Sequence, residues 1–174
     1  EIIEPKNIKI LLKKLDGKNI SIDSKSCSFN YEQILSKKFK IMKKDDPIYL
    51  LKSIKNKTEI KNMIESHITD GVALTKFIYW IKNINRKKIT EVDAQNKLEK
   101  FRKQNKNYLF PSFNTIAGSG KNGAIVHYRA TANNTKYIHK NEIFLCDSGG
   151  QYKYGTTDVT RTICFTKSNS NIKK

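Results

Sequence analysis

Disulfide scaffolds, zinc knuckles and membrane spans are the first classes this chain excludes by what it lacks. Its three cysteines, Cys27, Cys146 and Cys164, are odd in number and show no CxxC spacing, so neither a disulfide framework nor a thiolate zinc site is expected. Cys146 and Cys164 lie in apolar runs, where buried free thiols are ordinary. No stretch of about 18 apolar residues exists to cross a bilayer. The first residues also lack the apolar core and cleavage pattern of a secretion signal, which gives the expectation of a cytoplasmic protein.

Arginine is scarce as well. Of 34 basic residues only Arg86, Arg102, Arg129 and Arg161 are arginine, whereas base and bidentate phosphate recognition depends on the guanidinium fork. The formal net charge of +18 comes from lysines scattered along the chain, and lysines on solvated faces cost little. Specific nucleic-acid binding is therefore not expected, and the basic charge supports only weak, salt-sensitive association with polyanions. The glycine text at 118–123, GSGKNG, fails as a phosphate loop. That motif needs Gly where Thr115 stands and Ser or Thr where Asn122 stands.

The rest of the chain reads as an α/β (α+β) protein of one domain with part of another. Ile8, Ile10, Leu11, Leu12 and Leu15 follow a helical pattern, Asp16 and Gly17 form a turn, and Ile20 to Asp23 alternate as a strand does. Phe29 to Leu35 reads as a short helix and Phe39 to Met42 as a strand. Asp45, Asp46 and Pro47 mark a boundary, because the residue before proline resists helical geometry. We therefore divide the chain into 1–49, 50–166 and a polar tail, 167–174. From Asn56, with Glu59 three residues on, a capping box opens a helix whose expected core stripe is Ile60, Met63, Ile64, Ile68, Val72, Phe77, Ile78 and Ile81. Gly71 is expected to allow close packing or a kink. Thr90 and Asp93 open a second helix carrying Val92, Leu98 and Phe101. Residues 109–128 read as two apolar β-like runs, with His127 at the end of the second.

The densest chemistry lies at 147–162, DSGGQYKYGTTDVTRT. Asp147 ends the apolar run 143–146, and Asp158 stands eleven positions on, within a second β-prone run. On one continuous strand the two would point to opposite faces about 36 Å apart, at ~3.3 Å per residue. A turn built on Gly149 and Gly150, using positive φ, would fold the chain back and bring both carboxylates to one place. Two such acids repel unless one is protonated, a cation pairs with them, or a metal binds. Oxygen donors favour Mg, Ca or Mn, and a two-metal centre activates water for hydrolysis. The competing reading is that the acids cap turns or pair with Lys153 and Arg161.

The strings DSGGQY and GTTDVTRT resemble the metal-binding hairpin of Xaa-Pro aminopeptidases, in the creatinase and methionine aminopeptidase superfamily. KSIKNKTEIKNMIESHITDGVAL at 52–74, NKLEKFRKQ at 96–104 and SFNTIAGSGKNGAIVHY at 112–128 follow in that family's order. The resemblance covers about 50–166. It implies a partial pita-bread catalytic domain at 50–166 and, at 1–49, a remnant of the creatinase-type domain that precedes it. It further implies that Asp147 is a terminal ligand of one ion, that Asp158 bridges two divalent ions, usually manganese, and that His127 contacts the substrate.

The implied activity is removal of an N-terminal residue that precedes proline, by a metal-activated water. Peptides with proline second are the substrates, and the intact family forms dimers. The remaining family ligands, one His and two Glu, would fall beyond residue 174, and neither His67 nor His139 stands where that His belongs. The resulting expectation is a fragment cut at both ends and inactive alone. The alternative is a noncatalytic pita-bread module that binds peptides or proteins.

Overall fold

The computed structural model describes residues 2–84 and 88–166; the polar tail expected at 167–174 lies outside them. The chain divides into two compact units, Glu1–Lys55 and Asn56–Lys174, a division six residues beyond the expected one.

In the first unit, a short 3-10 turn at Pro5–Asn7 leads into α1 (Ile8–Lys14). Gly17 then turns the chain at φ 136, a region open to glycine and strained for other residues. Strand β1 (Asn19–Ile22) pairs in parallel with β2 (Lys40–Lys43), setting Ile20 beside Ile41. The crossover is α2 (Phe29–Ser36), opened by Ser28, whose hydroxyl accepts from the Tyr31 amide. Ile22, Leu35 and Phe39 form a small core with Leu12, Ile20, Cys27 and Ile41 against it. Asp46 is extended before Pro47, as a pre-proline residue should be, but it also caps α3 (Pro47–Ser53) by accepting from Ile48 N at 2.9 Å. The sequence pattern did not disclose this helix.

The second unit opens with the long helix α4 (Lys57–Asn83). Its capping box is present, with the Asn56 side chain accepting from Glu59 N and the Glu59 carboxylate from Asn56 N. Thr90 and Asp93 make the same exchange at the start of α5 (Glu91–Arg102). Six short strands follow them. Strand β3 (Tyr108–Pro111) belongs to a sheet ordered β3, β6 (Gly150–Tyr152), β7 (Gly155–Thr156). Strand β4 (Ile116–Ser119) belongs to another, ordered β4, β5 (Ile143–Ser148), β8 (Val159–Cys164), with all neighbours antiparallel. The second β-like run expected within 109–128 is not a strand: a 3-10 turn at Gly120–Ala124 leads into an irregular bend at 125–127.

The α4/α5 pair covers one face of the β4–β5–β8 sheet. Leu74, Phe77 and Ile81 of α4, Ala94 and Leu98 of α5, and Ala117, Phe144, Cys146 and Ile163 of the sheet make one core. Phe77, Leu98 and Phe144 are each wholly buried and contribute about 1.5–3 kcal/mol apiece. The expected α4 stripe holds only in its C-terminal half. Ile60, Met63, Ile64, Ile68 and Val72 are 40–65% exposed, while Ser66 and Asp70 are buried. The side of the helix that goes inward is fixed by what lies against it, and here the neighbours are polar: an arginine and a glycine-bearing hairpin. Gly71 does not interrupt α4 and serves no close packing, for a methyl group at that position would meet nothing within 4 Å.

Candidate functional site

Strand β5 alternates. Phe144, Cys146 and Ser148 are buried toward the helices, and Leu145 and Asp147 point to the other, half-open face. The ladder pairs Asp147 with Thr160 and Ser148 with Val159. Beyond it, Thr157 N donates to Gly150 O at 2.9 Å, and Gln151 and Tyr152 pair with Thr156 and Gly155. One register therefore runs through β5–β6 and β7–β8 to a tip at Lys153–Tyr154.

The reversal is thus not at the glycine pair. Among the described residues the positive-φ glycines are Gly17 and Gly120, so Gly149 and Gly150 are not there to supply left-handed backbone. They are there for closeness. A Cβ at Gly149 would fall 2.0 Å from the Thr157 carbonyl oxygen and 2.2 Å from Ser112 Oγ, and one at Gly150 would meet the rings of Tyr152 and Tyr108. Gly155 lets the returning arm lie on α4, where a Cβ would stand 2.3 Å from Ser66 Oγ.

Extended across the break between the two ladders, the same register would set Asp158 opposite Gly149, on the strand face that Asp147 occupies and one diagonal step from it. Such diagonal neighbours lie about 7–8 Å apart along the backbone. Asp147 is half-buried and accepts from Thr160 Oγ1 at 2.6 Å, and Asp158 is exposed just ahead of β8. No ion pair joins either acid to Lys153 or Arg161; the Arg161 guanidinium donates to Thr160 O instead.

His127 does not end a strand. It sits in a turn at φ 54, exposed, with buried Tyr128 next to it. Left-handed backbone is uncommon outside glycine, and histidine is among the residues that tolerate it best.

Two buried clusters escaped the sequence reading. Glu91, wholly buried at the first turn of α5, accepts from Ser119 N at 2.8 Å, Asn122 Nδ2 at 3.0 Å, Tyr128 OH at 2.8 Å and Lys136 N at 2.9 Å. Burial, then the bond and charge of Glu91, push the Tyr128 hydroxyl up to about 12. The second cluster joins Asp70 of α4 to Arg102 of α5, with Tyr152 OH donating to Asp70 Oδ1 at 2.8 Å and Arg102 Nη2 donating to Ser148 Oγ at 3.1 Å. Burial alone would raise the Asp70 pKa, but the hydrogen bonds and charge of Arg102 outweigh it and hold the carboxyl low. Burial drives the Cys146 thiol up to about 12, so it is an inert core group. The available signals were a scarce arginine and an acid beyond those the α5 capping box uses. Neither says where its partner lies.

Asp147 and Asp158 are hard oxygen donors of the kind Mg or Mn accepts. Among the described residues, however, no group of three His, Cys, Asp or Glu side chains converges. The donor set fits part of a metal centre and not a whole one, and no hydrolytic step follows from it.

The profile of Metallopeptidase family M24 matches residues 61–174. A probable Xaa-Pro aminopeptidase P of Paracoccidioides brasiliensis (strain Pb18) is 49% identical over 122 residues, 68% of this chain and 20% of that protein. One of Coccidioides posadasii (strain C735) is 41% identical over 154 residues, 87% of this chain and 24% of its own. Among solved structures, the X-prolyl aminopeptidase of Caenorhabditis elegans, described as a cytosolic enzyme with a di-nuclear active site, superposes with a TM-score of 0.78 at 27% identity. It covers 88% of this chain and 25% of the worm enzyme. The prolidase of Pyrococcus horikoshii OT3 superposes with a TM-score of 0.72 at 29% identity, covering 97% and 47%. The mixed helix-and-sheet architecture is that of the pita-bread fold. The chain spans about a fifth to a quarter of the length of the curated relatives it matches.

Proposed function

Because the chain belongs to metallopeptidase family M24, we propose that it carries part of the active site of an Xaa-Pro aminopeptidase. In this reading Asp147 and Asp158 are ligands of a divalent metal centre, with manganese the expected ion, and His127 touches the substrate. The substrate is a peptide with proline in second position. The first unit corresponds to the end of a creatinase-type domain and the second to the leading half of the pita-bread domain. A cytosolic setting and a dimeric whole enzyme complete the proposal; no helix among the described residues is long and apolar enough to cross a membrane.

What supports this reading is the register common to the two ladders, which, extended across Gly149, would bring both aspartates to one face of the hairpin, within a chain similar to proteins named for Xaa-Pro cleavage. When bound, the metal would supply a Lewis acid and an activated water. This chain's own contribution is to orient carboxylate oxygens. Thr160 fixes one of the Asp147 oxygens, and the closeness enforced at Gly149 holds the two arms together. With two donors in place, we propose that these residues alone bind the ion weakly and do not turn over peptide. That donor count also favours a second reading, a noncatalytic module that binds peptides.

Calorimetric titration with Mn²⁺, repeated on D147N and D158N, tests the proposal. Weak saturable binding that either substitution abolishes is expected, together with no metal-dependent release of the first residue from an Arg-Pro-Pro peptide. Heat that is identical in the D147N/D158N double variant would end the metal-ligand assignment. Efficient Arg-Pro-Pro cleavage by the chain alone would end the assignment of inactivity. Proline-peptide binding with no metal dependence would favour the second reading.

A further inference from the structure

We infer that Glu91 is the positioning residue for His127, an inference that rests on the reading of His127 as a substrate contact. Among the described residues, the donors to the Glu91 carboxylate come from one stretch of chain, 119–136, and His127 lies inside it. Asn122 and Tyr128, the two side chains it grips, bracket only residues 123–127. They also bond each other, Asn122 Nδ2 donating to Tyr128 OH at 2.9 Å. Both ends of the turn that presents His127 are therefore tied to one carboxylate. The turn itself adds little: Ile125 N to Asn122 O at 3.3 Å and Tyr128 N to Ile125 O at 3.2 Å. Ile125 and Val126 are 51% and 83% exposed and give the loop little packing.

The chemistry of the grip is specific to a carboxylate. Glu91 is wholly buried, yet the nearby lysine on the same stretch, Lys136, sends its ammonium to Glu142 at 2.6 Å. What Glu91 has instead is four uncharged donors and a place in the first turn of α5, near the positive end of the helix. Every donor faces an oxygen. A glutamine would turn an amide N–H toward one pair of those donors and leave them unpaired in a buried site, which is costly. A carboxylate so thoroughly committed to one loop, whose exposed apex is a histidine held at positive φ, is arranged to fix that apex.

The test is solution NMR of the isotope-labelled chain and two variants, E91Q and Y128F. Y128F removes only the hydroxyl end of the grip and keeps the buried acid with its other donors, so it remains informative if E91Q does not fold. The reporter is the intraresidue amide-to-Hα NOE of His127, strong at positive φ and weak elsewhere. The expected result is a strong NOE in the native chain that weakens severalfold in Y128F, while the amides of Ser119 and Lys136 keep their exchange protection. An NOE that stays strong in Y128F, and in E91Q where it folds, would overturn the inference. Mn²⁺-induced broadening of Asp147 and Asp158, recorded on the same samples, reports on the metal reading separately. Its absence would refute that reading without altering the His127 result.

Discussion

Arg102 reaches from α5 to Asp70 on α4 with a two-pronged grip, Nε to Oδ1 at 2.7 Å and Nη2 to Oδ2 at 2.9 Å, and both side chains are at most 2% exposed. The pair ties the two helices to the hairpin through Ser148 and Tyr152. Removing one partner strands a buried charge, so R102A should lose about 3–5 kcal/mol of stability. Replacing both with apolar groups, as in D70L/R102M, should cost less. Urea unfolding of the three proteins checks the order, and an R102A midpoint equal to the native one would mean that water reaches Asp70.

Alkaline stability should respond to Tyr128. Its folded pKa is raised, to about 12 from 10.0, so its contribution is complete below about pH 10 and is lost as pH rises through 12. In Y128F that part of the alkaline decline disappears. Unfolding midpoints measured against pH should therefore converge for the two proteins toward pH 12.

Gly155 should tolerate no side chain while Ser66 stands beneath it. G155A would push a methyl group to 2.3 Å from Ser66 Oγ and 3.2 Å from Asn62 O, at an expected cost of about 1–3 kcal/mol. Adding S66A removes the nearer contact and should return part of that loss. A double-mutant cycle by thermal unfolding measures the coupling; additivity would show that the hairpin yields elsewhere.

Thr160 should matter to the metal and little to the fold. T160V removes the hydroxyl that donates to Asp147 at 2.6 Å, and Mn²⁺ affinity should fall about 10–100-fold, the usual effect of losing a partner that orients a ligand. T160S should keep the affinity. Calorimetric titration separates the two, with circular dichroism confirming unchanged structure.

Polar substitution on the outward side of α4 should be nearly neutral. Ile64 is 56% and Ile68 65% exposed, so I64K or I68E should shift stability by no more than about 0.5 kcal/mol. Leu74, 5% exposed on the same helix, should cost about 2–5 kcal/mol as L74A. Equal losses at all three positions would show that the exposed stripe is covered in solution.

The sequence by itself determined the local elements. Asn56 with Glu59 and Thr90 with Asp93 fixed two helix starts, because a capping box is settled within four residues. The apolar run 143–146 placed Asp147 at the end of a strand, and the letters around it gave the family. Tertiary structure alone decided which face of α4 goes inward, since Ser66 and Asp70 are buried only because Gly155 and Arg102 meet them there. It also moved the hairpin reversal from Gly149–Gly150 to Lys153–Tyr154, because crowding against Thr157 and Ser112 is invisible in a linear text. Glu91 is joined to the turn that carries His127 for the same reason: a buried carboxylate is satisfied by whichever donors the fold delivers, and those lie 28 to 45 residues along the chain.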